Sequence, residues 1–334
     1  MNIDAQTGAP DCSRDIILAV TSRLMLLDTA SLYFRAFFGV PDSVRAPDGT
    51  PVNAVRGLLD FVARLVTTYQ PTDLVCCWDD DWRPGWRVDL IPSYKSHRVV
   101  APVESGVDIE ETPDLLGPQV LIIRDVLAAL RIAVVGARDY EADDVIGTLT
   151  YSAAGPVDIV TGDRDLFQLV SDERAVRVLY TARGVGKLEV VTDATVVGKY
   201  GVLPEQYADF AALRGDPSDG LPGVKGVGDK TAASLLQQYG DLAGIRGAAL
   251  DPASSLASGM RAKLIAASDY LDVAPTVVEV ARDIDLTLPD TALRPLDAAA
   301  VREVDSLAER WGLASPARRV LAAFGRPQAA RGRS

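Results

Sequence analysis

The chain has 334 residues, 48% of them hydrophobic and 24% charged, which is the balance of a folded globular protein and not of a disordered one. The formal net charge of −12 argues against a uniformly basic nucleic-acid-binding surface, and a single histidine with three scattered cysteines excludes a conventional zinc site. No run of 18 apolar residues is present, so we expect no membrane partner, and the cysteine usage favours a cytoplasmic protein without a disulfide framework.

The predicted elements alternate between strands and helices through the first 200 residues. After a flexible tail at 1–22, apolar runs and helical spacing predict strands at 24–27, 74–78, 132–135 and 157–160, and helices at 52–69, 118–130 and 142–150. This alternation favours an α/β core with a mostly parallel central sheet flanked by helices. Beyond about residue 200 the pattern becomes helical with glycine-rich turns, which predicts a second, helical subdomain.

Acidic residues cluster where the predicted strands end. The acids of this cluster are Asp28, Asp79, Glu141, Asp143, Asp144, Asp163 and Asp165. Each group alone is explained by helix capping. However, the carboxyl ends of parallel strands share one edge of the sheet, and four acidic segments at that edge repel one another. Because no histidine or cysteine lies near them, the counter-charge that fits best is Mg²⁺ or Mn²⁺.

A fifth acidic cluster precedes a glycine-rich turn. Asp216 and Asp219 belong to an Asp/Pro/Gly sequence that alone predicts an ordinary turn. The turn that follows leads into a helix, and its notable residues are Gly223, Lys225, Gly226, Gly228, Lys230 and Thr231. Glycine lets a backbone approach a partner closely, and the N–H groups of a helix start attract phosphate. This turn is therefore a candidate phosphate contact, although it lacks the spacing of a Walker A loop.

The segment 81–116 lacks a clean period and is too long for an idle connection. It interleaves aromatic and basic residues, namely Trp82, Arg83, Trp86, Arg87, Tyr94, Lys95, His97 and Arg98. Such residues stack on bases and neutralise phosphates, although a solvated loop is an equal alternative for this segment alone. We expect Arg35, seven residues after Asp28, to point toward the same sheet edge. For Phe34, Phe37 and Phe38 we expect core packing of at least two.

Together these segments resemble the structure-specific 5′ nuclease family, which includes flap endonucleases, phage 5′-exonucleases and the 5′-nuclease domain of bacterial DNA polymerase I. The matching segments occur in the family's order between residues 24 and 290. They are Leu27-Asp28, Tyr33-Phe34-Arg35, Trp78-Asp79, Tyr94 to Arg98, Tyr140 to Gly147, Thr161 to Asp165, and Gly215 to Ala232.

The resemblance implies a PIN-like 5′ nuclease core at 23–204 with a helical arch at about 82–115. It further implies a helix–three-turn–helix duplex-binding subdomain at 205–290, followed by a C-terminal helical segment and a frayed basic tail at 291–334. The implied activity is metal-dependent hydrolysis of DNA at 5′ flaps and single-strand/duplex junctions, as a flap endonuclease and 5′-3′ exonuclease in replication and repair.

The resemblance also implies three sets of site residues. Two or more Mg²⁺ or Mn²⁺ ions would be bound by Asp28, Asp79, Glu141, Asp143, Asp144, Asp163, Asp165, Asp216 and Asp219. The cations acting at the scissile phosphate would be Lys95, Arg98 and Arg35. DNA would be contacted by Phe34, Tyr94, Gly223, Lys225, Gly226, Gly228, Lys230 and Thr231, with a K⁺ ion in the glycine-rich turn. Two departures from the family pattern are Gly220, where many members have Asn, and the extra acids Asp80 and Asp81.

The implied partner is branched or 5′-flapped DNA, processed by a monomer at the nucleoid alongside a DNA polymerase and a ligase. Two other interpretations stay open at this point. One is a non-catalytic DNA-structure-binding protein whose acids serve the fold, and the other is a PIN-type ribonuclease. A HAD-type phosphatase is disfavoured because Asp28-Thr29-Ala30 lacks the second acid of the nucleophile pair.

Overall fold

Six strands form the central sheet of the computed structural model, which describes residues 22–103 and 106–325. The described strands are β1 (Leu24–Asp28), β2 (Asp73–Trp78), β3 (Val99–Ala101), β4 (Ile109–Glu110), β5 (Ala133–Gly136), β6 (Val157–Thr161), β7 (Val176–Tyr180) and β8 (Glu189–Val191). The tail predicted at 1–22 lies outside the described residues except for Ser22, and so does the basic tail from residue 326.

Helices cover both faces of the sheet and form the second subdomain. They are α1 (Thr29–Gly39), α2 (Asn53–Tyr69), α3 (Gly85–Leu90), α4 (Gly117–Ala129), α5 (Ala142–Ser152), α6 (Asp193–Tyr200), α7 (Tyr207–Arg214), α8 (Asp229–Tyr239), α9 (Leu242–Leu250), α10 (Ser258–Ala266), α11 (Ser268–Val278), α12 (Ala298–Trp311) and α13 (Ala314–Phe324).

The strand order is β5-β2-β1-β6-β7-β8, and every neighbouring pair is parallel except β7 and β8. This confirms the predicted mostly parallel sheet. The chain builds outward from β1 in both directions, so the order reverses between β1 and β6. In parallel sheets such a switch point opens a crevice at the carboxyl ends of the strands. Here β2, β1 and β6 are neighbours, and each leads into an acid of the predicted cluster.

Alternate residues of one strand pack into separate cores on the two faces of the sheet, as strand geometry requires. In β2, Cys76 belongs to the core formed with α2, α4 and α13, whereas Cys77 belongs to the core that contains α5 and residues of the helical subdomain. Both thiols are fully buried, and burial raises the pKa of Cys76 to about 12. These cysteines are therefore inert core residues and not nucleophiles.

The chain returns from the helical subdomain to the sheet as a strap of irregular backbone at 279–297. The Ala281 N–H donates to Asp144 at the start of α5, at 2.9 Å. Farther along, the Leu74 N–H donates to the Thr291 carbonyl at 2.9 Å, and the Leu293 N–H donates to the Thr72 carbonyl at 2.8 Å. The strap therefore connects the helical subdomain to the α/β core. Among the described residues, no helix has the length and apolar character needed to cross a membrane.

The segment that the resemblance implies to be a helical arch takes another form in the structure. Between residues 82 and 115, the described part holds the short helix α3, a 3-10 turn at 96–98 and the antiparallel hairpin β3–β4. Proline at 84, 92, 102 and 113 disfavours long helices here. The hairpin is tied to its base because the Trp82 indole donates to the Asp108 carbonyl at 2.7 Å, and Arg83 donates to the Asp108 carboxylate at 2.5 Å.

Candidate active site and DNA-facing turn

A cavity of 630 Å³ opens at the carboxyl edge of the sheet, where the predicted acids meet. Six of the nine predicted metal ligands line it, namely Asp28, Asp79, Glu141, Asp143, Asp163 and Asp216. Lys95, Arg98 and Glu110 line it from the irregular segment after β2, and Arg164 lines it from the loop after β6. Sequence reasoning missed Glu110, because a carboxylate in an irregular segment carries no signal of its own.

The ends of β1 and β6 are tied together by one threonine and one aspartate. Asp28 caps α1 by accepting the Ser31 N–H at 3.1 Å, and its other oxygen accepts the Thr161 hydroxyl at 2.6 Å. The Thr161 hydroxyl oxygen in turn accepts the Asp163 N–H at 2.9 Å. This chain of hydrogen bonds holds Asp28 and Asp163 at the mouth of the sheet with restricted freedom.

At the end of β2, Asp79 likewise binds a neighbouring segment through its carboxylate. Its carboxylate accepts the Ala142 N–H at 2.8 Å, which orients the start of α5 so that Glu141 and Asp143 reach the cavity. The two extra acids point elsewhere: Asp80 pairs with Arg124 at 3.3 Å, and Asp81 accepts the Arg83 N–H at 3.0 Å. These contacts support Asp79 as the cavity acid of this run.

The remaining acids come from the 3-10 turn after β6 and from the acidic turn 216–220. Asp216 accepts the Ser218 N–H at 2.8 Å and Arg214 at 3.1 Å. Asp219 accepts Arg98 at 3.1 Å. Asp165 adjoins the cavity lining, and burial followed by the charges of Asp163 and Asp219 raises the pKa of its carboxyl well above the ordinary value.

The electrostatics of the cavity are those of a site with excess negative charge. Burial, partly opposed by the Thr161 hydrogen bond and reinforced by Asp79, raises the pKa of Asp28 to about 7. Burial and the charges of Asp163 and Asp28 raise the pKa of Asp143 well above its ordinary range. Burial also raises the pKa values of Asp79, Glu141 and Asp219. Such carboxyls favour either protons or a bound cation.

The Glu141 carboxylate accepts hydrogen bonds from two neighbouring residues of the irregular segment after β2, Tyr94 and Lys95. It accepts the Lys95 ammonium on one oxygen and the Tyr94 hydroxyl on the other, the latter at 2.6 Å. Burial alone would lower the pKa of Lys95, but the Glu141 charge raises it well above the usual value. Tyr94 is only 3% exposed. The prediction that Tyr94 contacts DNA is therefore wrong, because its ring is part of the core and its hydroxyl holds Glu141.

Asp144 lies behind the cavity and not in it. Both of its oxygens accept the Arg87 guanidinium at 2.7 Å, and it is fully buried. Arg87 also donates to Glu141 at 2.9 Å and to the Val277 carbonyl at 3.0 Å. In this structure Asp144 pairs with Arg87 and does not line the cavity, so its assignment as a metal ligand stays a prediction. Arg87 is a buried structural cation, although its segment suggested a nucleic-acid contact.

Helix α1 carries Arg35 and three phenylalanines, and their positions agree only in part with the predictions. Phe34 lines the cavity. Arg35 does not line it, but its guanidinium lies beside Gly162 and donates to the Ala182 carbonyl at 3.4 Å. The expectation of core packing for two of the three phenylalanines is wrong: Phe34 and Phe37 are half-buried, and Phe38 is 74% exposed.

The glycine-rich turn presents its basic residues to solvent. Lys225, Gly226, Gly228 and Lys230 are exposed, and Thr231 is half-buried in the first turn of α8. Gly223 (φ +64°) packs against the backbone of residues 214 and 215, where a Cβ would lie 2.4 Å from the Gly215 nitrogen. Lys263 of α10, which sequence reasoning missed, donates to the Gly226 carbonyl at 3.2 Å. The turn is thus a lysine-bearing surface on the helical subdomain.

The donors around the cavity fit a hard divalent cation and not a soft metal, because they are carboxylates. Among the described residues, no three acidic, histidine or cysteine side chains are grouped closely enough to act as ligands without rearrangement. Two of the predicted ligands instead have cationic partners, since Lys95 pairs with Glu141 and Arg98 pairs with Asp219.

Comparisons with known proteins agree with this geometry. The family model of the 5′-3′ exonuclease N-terminal resolvase-like domain matches residues 23–201, and that of the 5′-3′ exonuclease C-terminal SAM fold matches residues 202–299. The chain belongs to the 5′-3′ exonuclease family. The resemblance indicated by the sequence motifs is thereby confirmed.

Relatives within this exonuclease family cover most of the chain. A 5′-3′ exonuclease of Streptomyces coelicolor is 62% identical over 89% of this chain and 98% of its own length. The DNA polymerase I of Mycobacterium bovis is 44% identical over 66% of this chain, a match that spans 23% of the polymerase. A bacteriophage T5 flap endonuclease, solved with DNA and metal ions, shares the fold with a TM-score of 0.59 at 15% identity, covering 91% of this chain and 100% of that one.

The first prediction concerns the buried pair of Arg87 and Asp144. Changing Arg87→Met leaves a fully buried carboxylate without its partner, so we expect a loss of about 3–5 kcal/mol in the free energy of unfolding. Urea denaturation of the metal-free wild-type protein and variant measures this loss in the free energy of unfolding. Arg131→Met is the matched control, because its pair with Glu303 is exposed and should contribute less than about 1 kcal/mol. Equal losses for the two variants would contradict the structural role of Arg87.

The second prediction concerns Asp28. Between the ordinary aspartate pKa of 3.8 and the raised pKa of about 7, the folded protein binds more protons at Asp28 than the unfolded chain does. The free energy of unfolding of the metal-free protein therefore decreases as the pH rises through this window. Asp28→Asn, which keeps the cap on α1, should reduce this decrease by as much as about 4 kcal/mol. Urea denaturation at several pH values in EDTA tests it, and identical pH slopes for wild type and variant would refute it.

Proposed function

We propose that this protein is a metal-dependent, structure-specific 5′ nuclease that hydrolyses phosphodiester bonds of DNA at 5′ flaps and single-strand/duplex junctions. The observation that carries the proposal is the cavity at the switch point of the sheet, where carboxylates from five chain segments face Lys95 and Arg98. The family supports a 5′-3′ exonuclease activity. The flap activity is argued from the cavity together with the T5 neighbour, which was solved with DNA.

The acids of the cavity divide into two groups by their position. Asp28, Asp79, Glu141, Asp143, Asp163 and Asp165 surround the ends of the strands and would hold one Mg²⁺ or Mn²⁺ ion. Asp216 and Asp219, on the acidic turn, would serve a second ion with help from Asp163. When bound, the ions supply an activated water and stabilise the charge on the leaving 3′ oxygen.

Lys95 and Arg98 line the cavity among the acids, and each contacts one of them, Glu141 and Asp219 respectively. In that position their charges would bind the scissile phosphate and stabilise the negative charge that develops on it. Arg35, beside Gly162 at the rim, would bind the same phosphate or its neighbour. Phe34 lines the cavity and would pack against the terminal nucleotide.

The exposed turn at 223–231 would hold the backbone of the duplex through Lys225, Lys230 and the N–H groups at the start of α8. A K⁺ ion bound by carbonyls of this turn is part of the proposal, although the Gly226 carbonyl already accepts Lys263. Since these contacts are to phosphate, DNA binding should weaken steeply with salt. We further propose that the protein acts as a monomer at the nucleoid alongside a DNA polymerase and a ligase.

The third prediction tests this function with a 5′-labelled flap duplex in Mg²⁺, in Mn²⁺ and in EDTA. We expect metal-dependent cleavage near the junction, and loss of cleavage in Asp143→Asn with the fold and DNA binding retained. Asp80→Asn is the matched control, because Asp80 pairs with Arg124 outside the cavity. Full activity of Asp143→Asn would contradict the assignment of the acids. Binding without cleavage in either metal would favour a non-catalytic DNA binder, and preference for an RNA hairpin would favour a PIN-type ribonuclease.

The fourth prediction concerns Lys95. Lys95→Ala should lower the single-turnover rate by about 10²–10³-fold with a much smaller change in the Kd for DNA, because its ammonium acts on charge that develops in the transition state. Rapid-quench kinetics and fluorescence anisotropy separate the two effects. A change in Kd alone would place Lys95 outside the chemical step.

A further inference from the structure

The cations that line the cavity differ in whether an acid is bound to them. Lys95 and Arg98 each pair with one carboxylate. The Arg164 guanidinium lines the same cavity, yet in the part of the chain that the structure describes it forms no ion pair with an aspartate or a glutamate. Its charge is therefore available to an anion that enters the cavity from solvent.

Arg164 has a second hydrogen-bond donor beside it. Tyr180 is the last residue of β7, in register with Thr161 at the end of β6, and its side chain also lines the cavity. Burial raises the pKa of Tyr180, which nearby Arg164 lowers in part, so its hydroxyl stays protonated near neutral pH and can donate. The Tyr180 ring packs edge-on against Phe167, with 5.1 Å between the ring centroids, and this contact orients the hydroxyl.

Arg164 and Lys95 lie at the ends of different strands. Lys95 contacts Glu141 at the start of α5, which Asp79 holds at the end of β2. Arg164 follows β6, and Asp28, at the end of β1, lies between the two in strand order. Neighbouring strands are about 4.8 Å apart, so the ends of β2 and β6 are separated by roughly 10 Å. This separation exceeds the size of one phosphate group, so the two cations are placed for two different phosphates.

We propose that Arg164 and Tyr180 form a second phosphate subsite of the cavity, which binds a phosphodiester group next to the scissile one in the cleaved strand. This inference rests on the proposed nuclease function and deepens it. The planar guanidinium can donate two parallel hydrogen bonds to a phosphate, and the tyrosine hydroxyl can donate a third. Two phosphates held at separate points fix both the position and the direction of the strand across the acids.

A methylphosphonate, which removes the charge of one phosphate, tests this contact. Flap duplexes carry it at one position at a time on either side of the scissile phosphate, and wild type and Arg164→Gln cleave each duplex in Mg²⁺ at limiting enzyme. At one position we expect the methylphosphonate to slow wild type by about 10-fold and to slow Arg164→Gln no further, because that contact is already lost. At the other positions the two losses should multiply.

Three further variants separate a phosphate contact from a structural role. Arg164→Gln should reduce the slope of log Kd against log salt concentration by roughly one, and Arg164→Lys, which keeps the charge, should restore that slope. Tyr180→Phe keeps the ring against Phe167 and should show a smaller loss that is coupled to the same phosphate. Arg131→Gln is the matched control, because Arg131 is exposed, pairs with Glu303 outside the cavity and should leave rate and slope at wild-type values.

Losses that multiply at every position, or a wild-type salt slope in Arg164→Gln, would overturn the proposal. Failure of Arg164→Lys to restore the slope would also count against it. If urea denaturation shows that Arg164→Gln does not fold, the same comparison with Tyr180→Phe decides by the same criterion. Absence of cleavage by the wild-type protein would refute the proposed nuclease function instead, and the comparison made on Kd in Mg²⁺ would still decide whether Arg164 and Tyr180 bind a phosphate.

Discussion

The structure depends on the neutralisation of carboxylates that a parallel sheet concentrates at one edge. Parallel strands must end on the same side, and here three adjacent strands lead into Asp28, Asp79 and Asp163. Burying such charges is unfavourable unless cations accompany them. Arg87 supplies a permanent cation behind the cavity, whereas Lys95 and Arg98 supply cations at its mouth. The placement of residues 87–98 follows from this requirement, since Arg87, Lys95 and Arg98 hold them against the acids.

The two kinds of cation have different consequences for function. Arg87 is buried on all sides and bonded to two carboxylates, so it belongs to the architecture. Lys95 and Arg98 line an open cavity and each contacts one acid. A phosphate and divalent ions that entered the cavity would exchange partners with them without disturbing the core. Glu141, which contacts both Arg87 and Lys95, joins the fixed part of the site to its exchangeable part.

Much of this arrangement could be predicted from the sequence, because it follows from local pattern and topology. Apolar runs ending in aspartate predicted β1, β2 and β6, and alternation with helices predicted the parallel sheet and therefore the meeting of the acids. Cys76 and Cys77 pack on opposite faces of the sheet, as neighbouring residues of a strand must. The order of the motifs along the chain was enough to indicate the family.

The rest depended on contacts between residues far apart in the chain. Asp144 and Asp143 are adjacent in sequence and chemically alike, and only the partner Arg87, which is distant in the chain, distinguishes a buried ion pair from a cavity acid. Tyr94 and Arg87 looked like DNA contacts because aromatic and basic residues have the same pattern in a core network. The helix α1 and the strands β7 and β8 were not predicted. The two strands span only five and three residues, which is too few to show a period.

The central claim is that the acid cavity is a divalent-metal site. The most direct measurement is calorimetric titration of Mn²⁺ into the metal-free protein, with and without the paired change Asp143→Asn and Asp163→Asn. The account predicts saturable binding to the wild-type protein and its loss in the double variant, with the fold intact by circular dichroism. Equal binding by both proteins, or none by the folded wild-type protein, would contradict it.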